Sequence, residues 1–186
     1  MPSKTTVLST MLAGALLSPV AMAESNFNYD FYEVGISSTN EDDETYTSLA
    51  ASGSMEINNN HYITGGVKTD ITSNATANEI SIGIGAYKPS SEDMDYYSRA
   101  GLKHGKDDSG SHQTVNIGFG ARFQLSDAIE LEGGIDLLFS NADEGTGVSG
   151  TANALYDIDE KIQVGAGLET DGDKTETRLF TRVKML

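Results

Sequence analysis

Nine stretches of this chain, between Thr47 and Met185, alternate apolar and polar residues, and their apolar faces carry no Asp, Glu, Lys or Arg. Runs such as Ile80, Ile82 and Ile84 show the pattern. A β-strand points successive side chains to opposite sides, so each stretch has one uncharged face and one polar face. Charged residues make up 22% of the chain, and chance would place several on these faces. The pattern therefore predicts strands whose uncharged faces meet lipid.

The first 23 residues are predicted to be a signal peptide that does not take part in the fold. Lys4 precedes a mostly apolar run at 7–20, and Ala21-Met22-Ala23 has the small-x-small form of a cleavage site. The run is interrupted by polar residues and is short for a membrane helix of about 20 residues. We therefore expect export across an inner membrane, with a single β-barrel domain over 24–186.

Composition excludes several kinds of partner and site. The formal net charge is −16, and phosphate binding requires a basic surface, so no nucleic acid partner is predicted. The chain has no cysteine, which excludes a disulfide framework and a thiolate metal site. No cofactor is predicted.

The alternation predicts ten strands, separated by connections rich in Gly, Asn, Asp and Ser. The predicted strands are 27–37, 45–57, 61–72, 78–88, 95–105, 113–124, 129–140, 148–157, 161–170 and 175–186. These lengths are close to the 9–11 residues with which a tilted strand crosses the hydrocarbon. We expect a closed antiparallel up-and-down transmembrane β-barrel of about ten strands, eight being possible, with both termini in the periplasm.

Aromatic residues at the end of the barrel that carries the termini bear on two predictions, the start of strand one and an aromatic girdle. Phe27, Tyr29 and Phe31 share one phase of strand one, whereas Tyr32 and Val34 share the other. Either a bulge near Phe31 or a strand that begins there explains the switch. Nine aromatics at this end suggest an interfacial girdle. They are Phe27, Tyr29, Phe31, Tyr62, Tyr87, Tyr96, Tyr97, Phe123 and Tyr156.

All four arginines fall on the polar faces, which in such a barrel point into the lumen. Neighbouring strands place Glu79 near Arg99, and barrel closure places Glu33 near Arg178 and Arg182. Burying such charges costs several kcal/mol each unless they are paired, so we expect ion pairs across the lumen. The predicted lumen charge network is Glu33, Glu79, Arg99, Arg122, Glu130, Glu132, Arg178 and Arg182. Many inward positions are glycine, which either makes room for large neighbours or keeps a passage open.

No catalytic or metal-binding residue is predicted. A His with a carboxylate and Ser111 could form a hydrolase site near the loops, but a Gly-, Asp- and Ser-rich loop is typical of a solvated turn. The candidate residues for such a site are His104, His112, Asp107, Asp108 and Ser111. The acidic segments 41–44 and 171–173 could gather calcium, yet neither matches an EF-hand loop, so solvated charge is the preferred interpretation.

Signal peptide, alternating strands and acidic hairpin loops such as Glu41-Asp42-Asp43-Glu44 together resemble the small outer-membrane β-barrel proteins of Gram-negative bacteria. The OmpA-transmembrane/OmpX-like group, or outer membrane protein β-barrel domain, is the nearest comparison. The chain departs from it in having ten predicted strands where eight are common. It also ends on Leu186 where an aromatic residue is usual.

The preferred functional interpretation is a monomeric, non-enzymatic barrel of the cell outer membrane with a structural or surface-interaction role and a salt-bridged lumen. The expected partners are outer-membrane lipid, lipopolysaccharide and the outer-membrane assembly machinery. A narrow porin for small solutes is the first alternative. The second is a soluble periplasmic lipocalin-like binder, in which the uncharged faces would point inward.

Overall fold

A computed structural model describes residues 25–41, 44–58, 60–72, 78–107, 110–141, 145–172 and 174–185. Every regular element in these ranges is a β-strand. The strands are β1 (Phe31–Glu41), β2 (Glu44–Asn58), β3 (His61–Asp70), β4 (Asn78–Ser91), β5 (Met94–Asp107), β6 (Gly110–Ser126), β7 (Ile129–Ser140), β8 (Thr146–Asp157), β9 (Ile162–Thr170) and β10 (Thr175–Lys184). The predicted signal peptide lies outside the described residues and stays a prediction.

The ten strands form one closed antiparallel barrel. Each strand pairs with the next along the chain, and β1 pairs with β10 to complete the ring. In that closing register Glu33 lies opposite Arg182 and Ser37 lies opposite Arg178. Closure leaves no strand edge exposed, which an open sheet could not achieve in lipid. The predicted fold class is confirmed, with ten strands and not eight.

The uncharged faces point outward over the whole barrel. Ile82 is 67% exposed and Leu179 is 60% exposed, whereas Arg122 on the opposite phase is 3% exposed. A lipocalin-like arrangement would require the reverse, with the apolar residues around the axis. The soluble-binder alternative is therefore wrong. None of the described residues belongs to a helix long and apolar enough to cross a membrane.

Both described chain ends lie at one end of the barrel, which we call the terminal end. Short hairpins join the strands there, and in one of them Asn60 adopts a positive φ of 74°. Ladder irregularities occur at three of these hairpins, for example between Glu56 and Asn58. We call the opposite end the loop end. Among its connections, Gly145 and Gly172 have positive φ values, a conformation that glycine adopts without a steric penalty.

Strand one begins at Phe31, four residues later than predicted, which removes the need for a bulge. Tyr32 and Val34 point outward, whereas Phe27 and Tyr29 precede the strand and are buried inside the terminal end. The girdle prediction was wrong for most of its members. Only Tyr96, Phe123 and Tyr156 of the nine aromatics are exposed on the outside, and the others lie on the inward phase or in the segment before β1.

Candidate functional site

The lumen is the candidate site, because it holds the inward charged residues. It has two parts that differ in exposure. In the terminal half the paired charges are almost fully enclosed, with Arg122, Glu130 and Arg182 each about 4% exposed at their side chains. In the loop half, Lys103 and Glu79 are 35% and 33% exposed. The side chains of these terminal-half residues are therefore more enclosed than those of the Lys103–Glu79 pair in the loop half.

Two arginines organise the terminal half. Arg122 on β6 donates from Nε to Oε1 of Glu130 on the adjacent β7, at 2.7 Å. Arg182 on β10 donates to Glu33 of the adjacent β1 at 2.7 Å. Its guanidinium also reaches across the lumen to β7, where Nη2 lies 3.2 Å from Glu132 and Nη1 lies 3.6 Å from Glu130. Because each buried cation meets at least one carboxylate, the desolvation cost is offset on both sides.

Two further pairs join strands that are not neighbours in the barrel. Lys68 on β3 pairs with Glu176 on β10, although β1 and β2 lie between their strands. Arg99 on β5 pairs with Asp136 on β7, whose other contact is the side-chain amide of Asn116 at 2.9 Å. The Lys68–Glu176 pair is partly exposed on both sides and contributes little stability by itself. Both pairs cross the bore and narrow it.

Arg178 differs from the other arginines of the lumen. Its Nε and Nη2 donate to the Asn153 side-chain oxygen at 3.2 and 2.9 Å, and its guanidinium lies 4.8 Å from the centre of the Phe180 ring. Within the described ranges it forms no ion pair. Arg178 is thus a cation whose Nη1 has no carboxylate partner.

The structure brings together most residues of the predicted network, and Glu33 pairs with Arg182 as expected, whereas Glu79, Arg99 and Arg178 have other partners. Glu33, Arg122, Glu130, Glu132 and Arg182 converge in the terminal half. Elsewhere Glu79 lies 4.0 Å from Lys103, while Arg99 binds Asp136. Arg178 binds an amide and no carboxylate.

Several residues that pair in the lumen are absent from the predicted network, among them Lys68, Asp136 and Glu176. The alternation of β10 that places Arg178 and Arg182 inward also places Glu176 inward, so the signal was present.

Inward glycines provide room for large neighbours. A Cβ added to Gly165 would lie 2.3 Å from the Phe180 ring, and one added to Gly85 would lie 2.2 Å from the Tyr62 ring. A Cβ at Gly118 would meet the Asp136 carboxylate. These contacts favour the interpretation that the glycines accommodate side chains of the lumen.

Residues 25–30, which we call the N-terminal segment, fill the mouth of the barrel at the terminal end. The Tyr29 ring stacks on Tyr87, with 3.8 Å between centroids, and on Tyr62 at 5.1 Å. The Arg122 guanidinium lies 4.9 Å from the Phe27 ring centre and 4.7 Å from that of Tyr29. Burial raises the pKa of the Tyr29 phenol, which therefore stays a neutral donor.

A cavity of about 220 Å³ lies in the lumen directly against this segment. Its lining is made of arginines, carboxylates, hydroxyls and aromatic rings. The lining residues with charges or rings are Tyr29, Phe31, Glu33, Tyr62, Tyr97, Arg99, Arg122, Glu132, Arg178 and Arg182. All four arginines of the chain therefore meet in one cavity, and Tyr29 of the N-terminal segment forms part of its wall.

The residues weighed for catalysis do not form a site in the described part of the chain. His104 is exposed on the outward phase of β5, whereas His112 lies inside against Gly105. Asp108 and the Asp107 side chain lie outside the described residues, as do parts of both acidic segments. Among the described side chains, no group of three or more His, Asp and Glu could hold a metal ion.

No protein-family model matches this chain, and no curated protein matches it. Solved structures do match. The KdgM porin in complex with disordered oligogalacturonate has a TM-score of 0.56 and 11% identity, over 83% of this chain and 99% of that chain. The NanC porin has a TM-score of 0.58 and 10% identity, over 83% of this chain and 100% of that chain. Identities this low show a shared fold.

The closed barrel, the outward apolar surface and the matched fold define the class: this chain is an outer-membrane β-barrel protein. The matched KdgM and NanC porins share the fold and do not single out the OmpA-transmembrane/OmpX-like group. That finer resemblance stays a prediction.

Proposed function

We propose that this protein is a narrow channel for small solutes, closed at its terminal end in the state described. The observation that carries the proposal is the graded exposure of the lumen. Lys103 and Glu79 are about one third exposed in the loop half, and Arg99, which lines the cavity, is 34% exposed. A barrel with a purely structural role would have no need of a solvent-accessible half. The fold shared with the KdgM and NanC porins supports the same conclusion.

The cavity indicates a class of solute. Arg178 lines it as a guanidinium that forms no ion pair with the described carboxylates, and a guanidinium binds carboxylates with good geometry. Tyr62 and Tyr97 add flat apolar surfaces on the same wall. At about 220 Å³ the cavity is smaller than pockets for drug-sized ligands, which begin near roughly 300 Å³. We therefore propose that it admits one small carboxylate-bearing group at a time, as found in the acidic sugars of the oligogalacturonate bound to KdgM.

Purified protein in planar bilayers tests both parts of this proposal. We expect unitary currents that galacturonate interrupts more strongly than the neutral sugar galactose does. Block by a particular solute is a better measurement than the preference of the channel for anions over cations. Inward carboxylates such as Glu79 and Glu176 pair with lysines of the lumen and offset their charge, so little overall preference is expected. Arg178→Gln should weaken the block by galacturonate, whereas Lys161→Gln, in an exposed turn, should not.

A structural barrel is the second candidate, favoured by the enclosed Arg122–Glu130 pair at the terminal end. Folded protein that passes neither ions nor galacturonate, with or without residues 25–30, would support this candidate and refute the channel. Folding is checked in the same samples by the heat-dependent shift in gel migration that closed barrels show.

A further inference from the structure

The N-terminal segment seals the lumen without belonging to the barrel wall. We infer that residues 25–30 form a tethered plug, in which residues 25–29 leave the lumen together by pivoting at Asp30 and open the cavity toward the terminal end. The effect on conduction rests on the proposed channel function, whereas the departure of the segment does not.

The segment crosses the mouth of the barrel. It leaves the wall at Phe31 on β1 and ends near the β4–β5 hairpin, four strands away around the ring. There the Ser25 hydroxyl donates to Asp95 at 2.5 Å, and the Asn26 amide donates to the Glu92 carbonyl at 2.9 Å. In a ring of ten strands, a path across four is close to a diameter, so the segment closes the bore and does not merely line it.

Side-chain contacts, and no ladder of backbone hydrogen bonds, hold the segment in place. Tyr29 stacks between barrel rings and donates to Asp95 at 3.2 Å. Phe27 packs under the Arg122 guanidinium, and the Asn28 carbonyl accepts from Arg122 at 2.9 Å. Contacts of this kind can be exchanged for water without unfolding a strand.

The segment satisfies some of its own backbone groups. The Phe27 N–H donates to the Ser25 hydroxyl at 3.1 Å, and the Asp30 N–H donates to the Asn28 side-chain oxygen at 2.7 Å. The first of these hydrogen bonds moves with the segment, because both partners lie within its moving part, and the second joins that part to Asp30 at the hinge. Departure therefore removes few backbone hydrogen bonds.

The barrel also tolerates the departure. Arg122 keeps its 2.7 Å contact with Glu130, so no buried cation loses its only carboxylate. The Met185 N–H donates to the Asp30 carbonyl at 2.7 Å, which anchors the chain where β1 begins. Asp30 is thus the natural hinge, and Phe31 and the rest of β1 stay in the sheet. Loss of Tyr29 removes a wall of the cavity on the side of the terminal end.

The absence of native cysteine allows a direct test by thiol labelling. Asp95 is fully buried, with Ser25 and Tyr29 bonded to it, so Asp95→Cys reports whether the segment is seated. Asp93→Cys, exposed in the same hairpin, is the reference. We expect a water-soluble maleimide to label the buried position at least about tenfold more slowly, because labelling requires a local opening.

Deleting residues 25–30, or the pair Phe27→Ala and Tyr29→Ala, should bring the labelling rate of Asp95→Cys close to that of the reference. The two alanine substitutions change no residue of the barrel strands, so this variant remains informative if the deletion impairs assembly. A rate that neither change raises would overturn the inference, because something other than the segment would then cover Asp95.

A disulfide lock separates the plug from the channel. In the Ser25→Cys, Asp95→Cys variant, oxidation should abolish unitary currents and dithiothreitol should restore them. Currents that persist with the lock closed would refute the gating. If the labelling rate of Asp95→Cys rises as expected but no variant conducts, the plug is supported and the proposed channel function fails.

Discussion

The buried ion pair between Arg122 and Glu130 shows most clearly how single residues in this lumen depend on one another. Both side chains are about 4% exposed. Arg122→Gln would leave Glu130 with the longer 3.6 Å contact to Arg182. Removing one partner of a buried pair typically costs about 3–5 kcal/mol, because the remaining charge is left without compensation. We expect a loss of this size in the free energy of unfolding, measured by denaturant titration in lipid vesicles.

Lys103→Gln provides the matched control for that substitution. Lys103 and Glu79 are each about one third exposed and lie 4.0 Å apart, so solvent already screens them. The loss there should be under about 1 kcal/mol. Equal losses for the two variants would contradict the division of the lumen into an enclosed half and a more exposed half.

Among the elements, β4 shows the separation between the two faces of the sheet. Ile82 lies outward near the middle of this strand and is 67% exposed. Ile82→Lys would place a charge in the hydrocarbon and should lower the free energy of unfolding by about 2–4 kcal/mol. Leu125→Lys, also outward but next to a hairpin at the terminal end, should cost about 0–1 kcal/mol. Unfolding in vesicles measures both, and a cost that does not depend on depth would argue against the assigned membrane position.

Strands could be predicted from the sequence because alternation is a local property. The predicted ranges 113–124 and 129–140 lie within or coincide with β6 and β7. The N-terminal segment could not be predicted in the same way. Phe27 and Tyr29 continue the inward phase of β1, and nothing local shows that the chain turns into the lumen before Phe31. The mistaken girdle had another cause: alternation already places Tyr62 and Tyr97 on the inward phase, but the prediction grouped the aromatics by their end of the barrel and not by their face.

For the whole molecule, contacts between adjacent strands were more accessible to prediction than contacts across the bore. The pairing of β1 with β10 follows from closure and brings Glu33 to Arg182. The pairs Lys68–Glu176 and Arg99–Asp136 join strands that are not neighbours. They depend on the width of the bore and on side-chain reach, which no sequence pattern records.

The central claim is that lipid surrounds the uncharged face while the charged face encloses the lumen. Spin labels at single cysteines along positions 79–86 of β4 test it most directly in reconstituted vesicles. Collision with oxygen dissolved in lipid should peak at Ile80, Ile82, Ile84 and Ala86 and fall at the positions between them. Oxygen maxima at Glu79, Ser81, Gly83 and Gly85 would instead mean that the polar face of β4 meets lipid, and would contradict this claim.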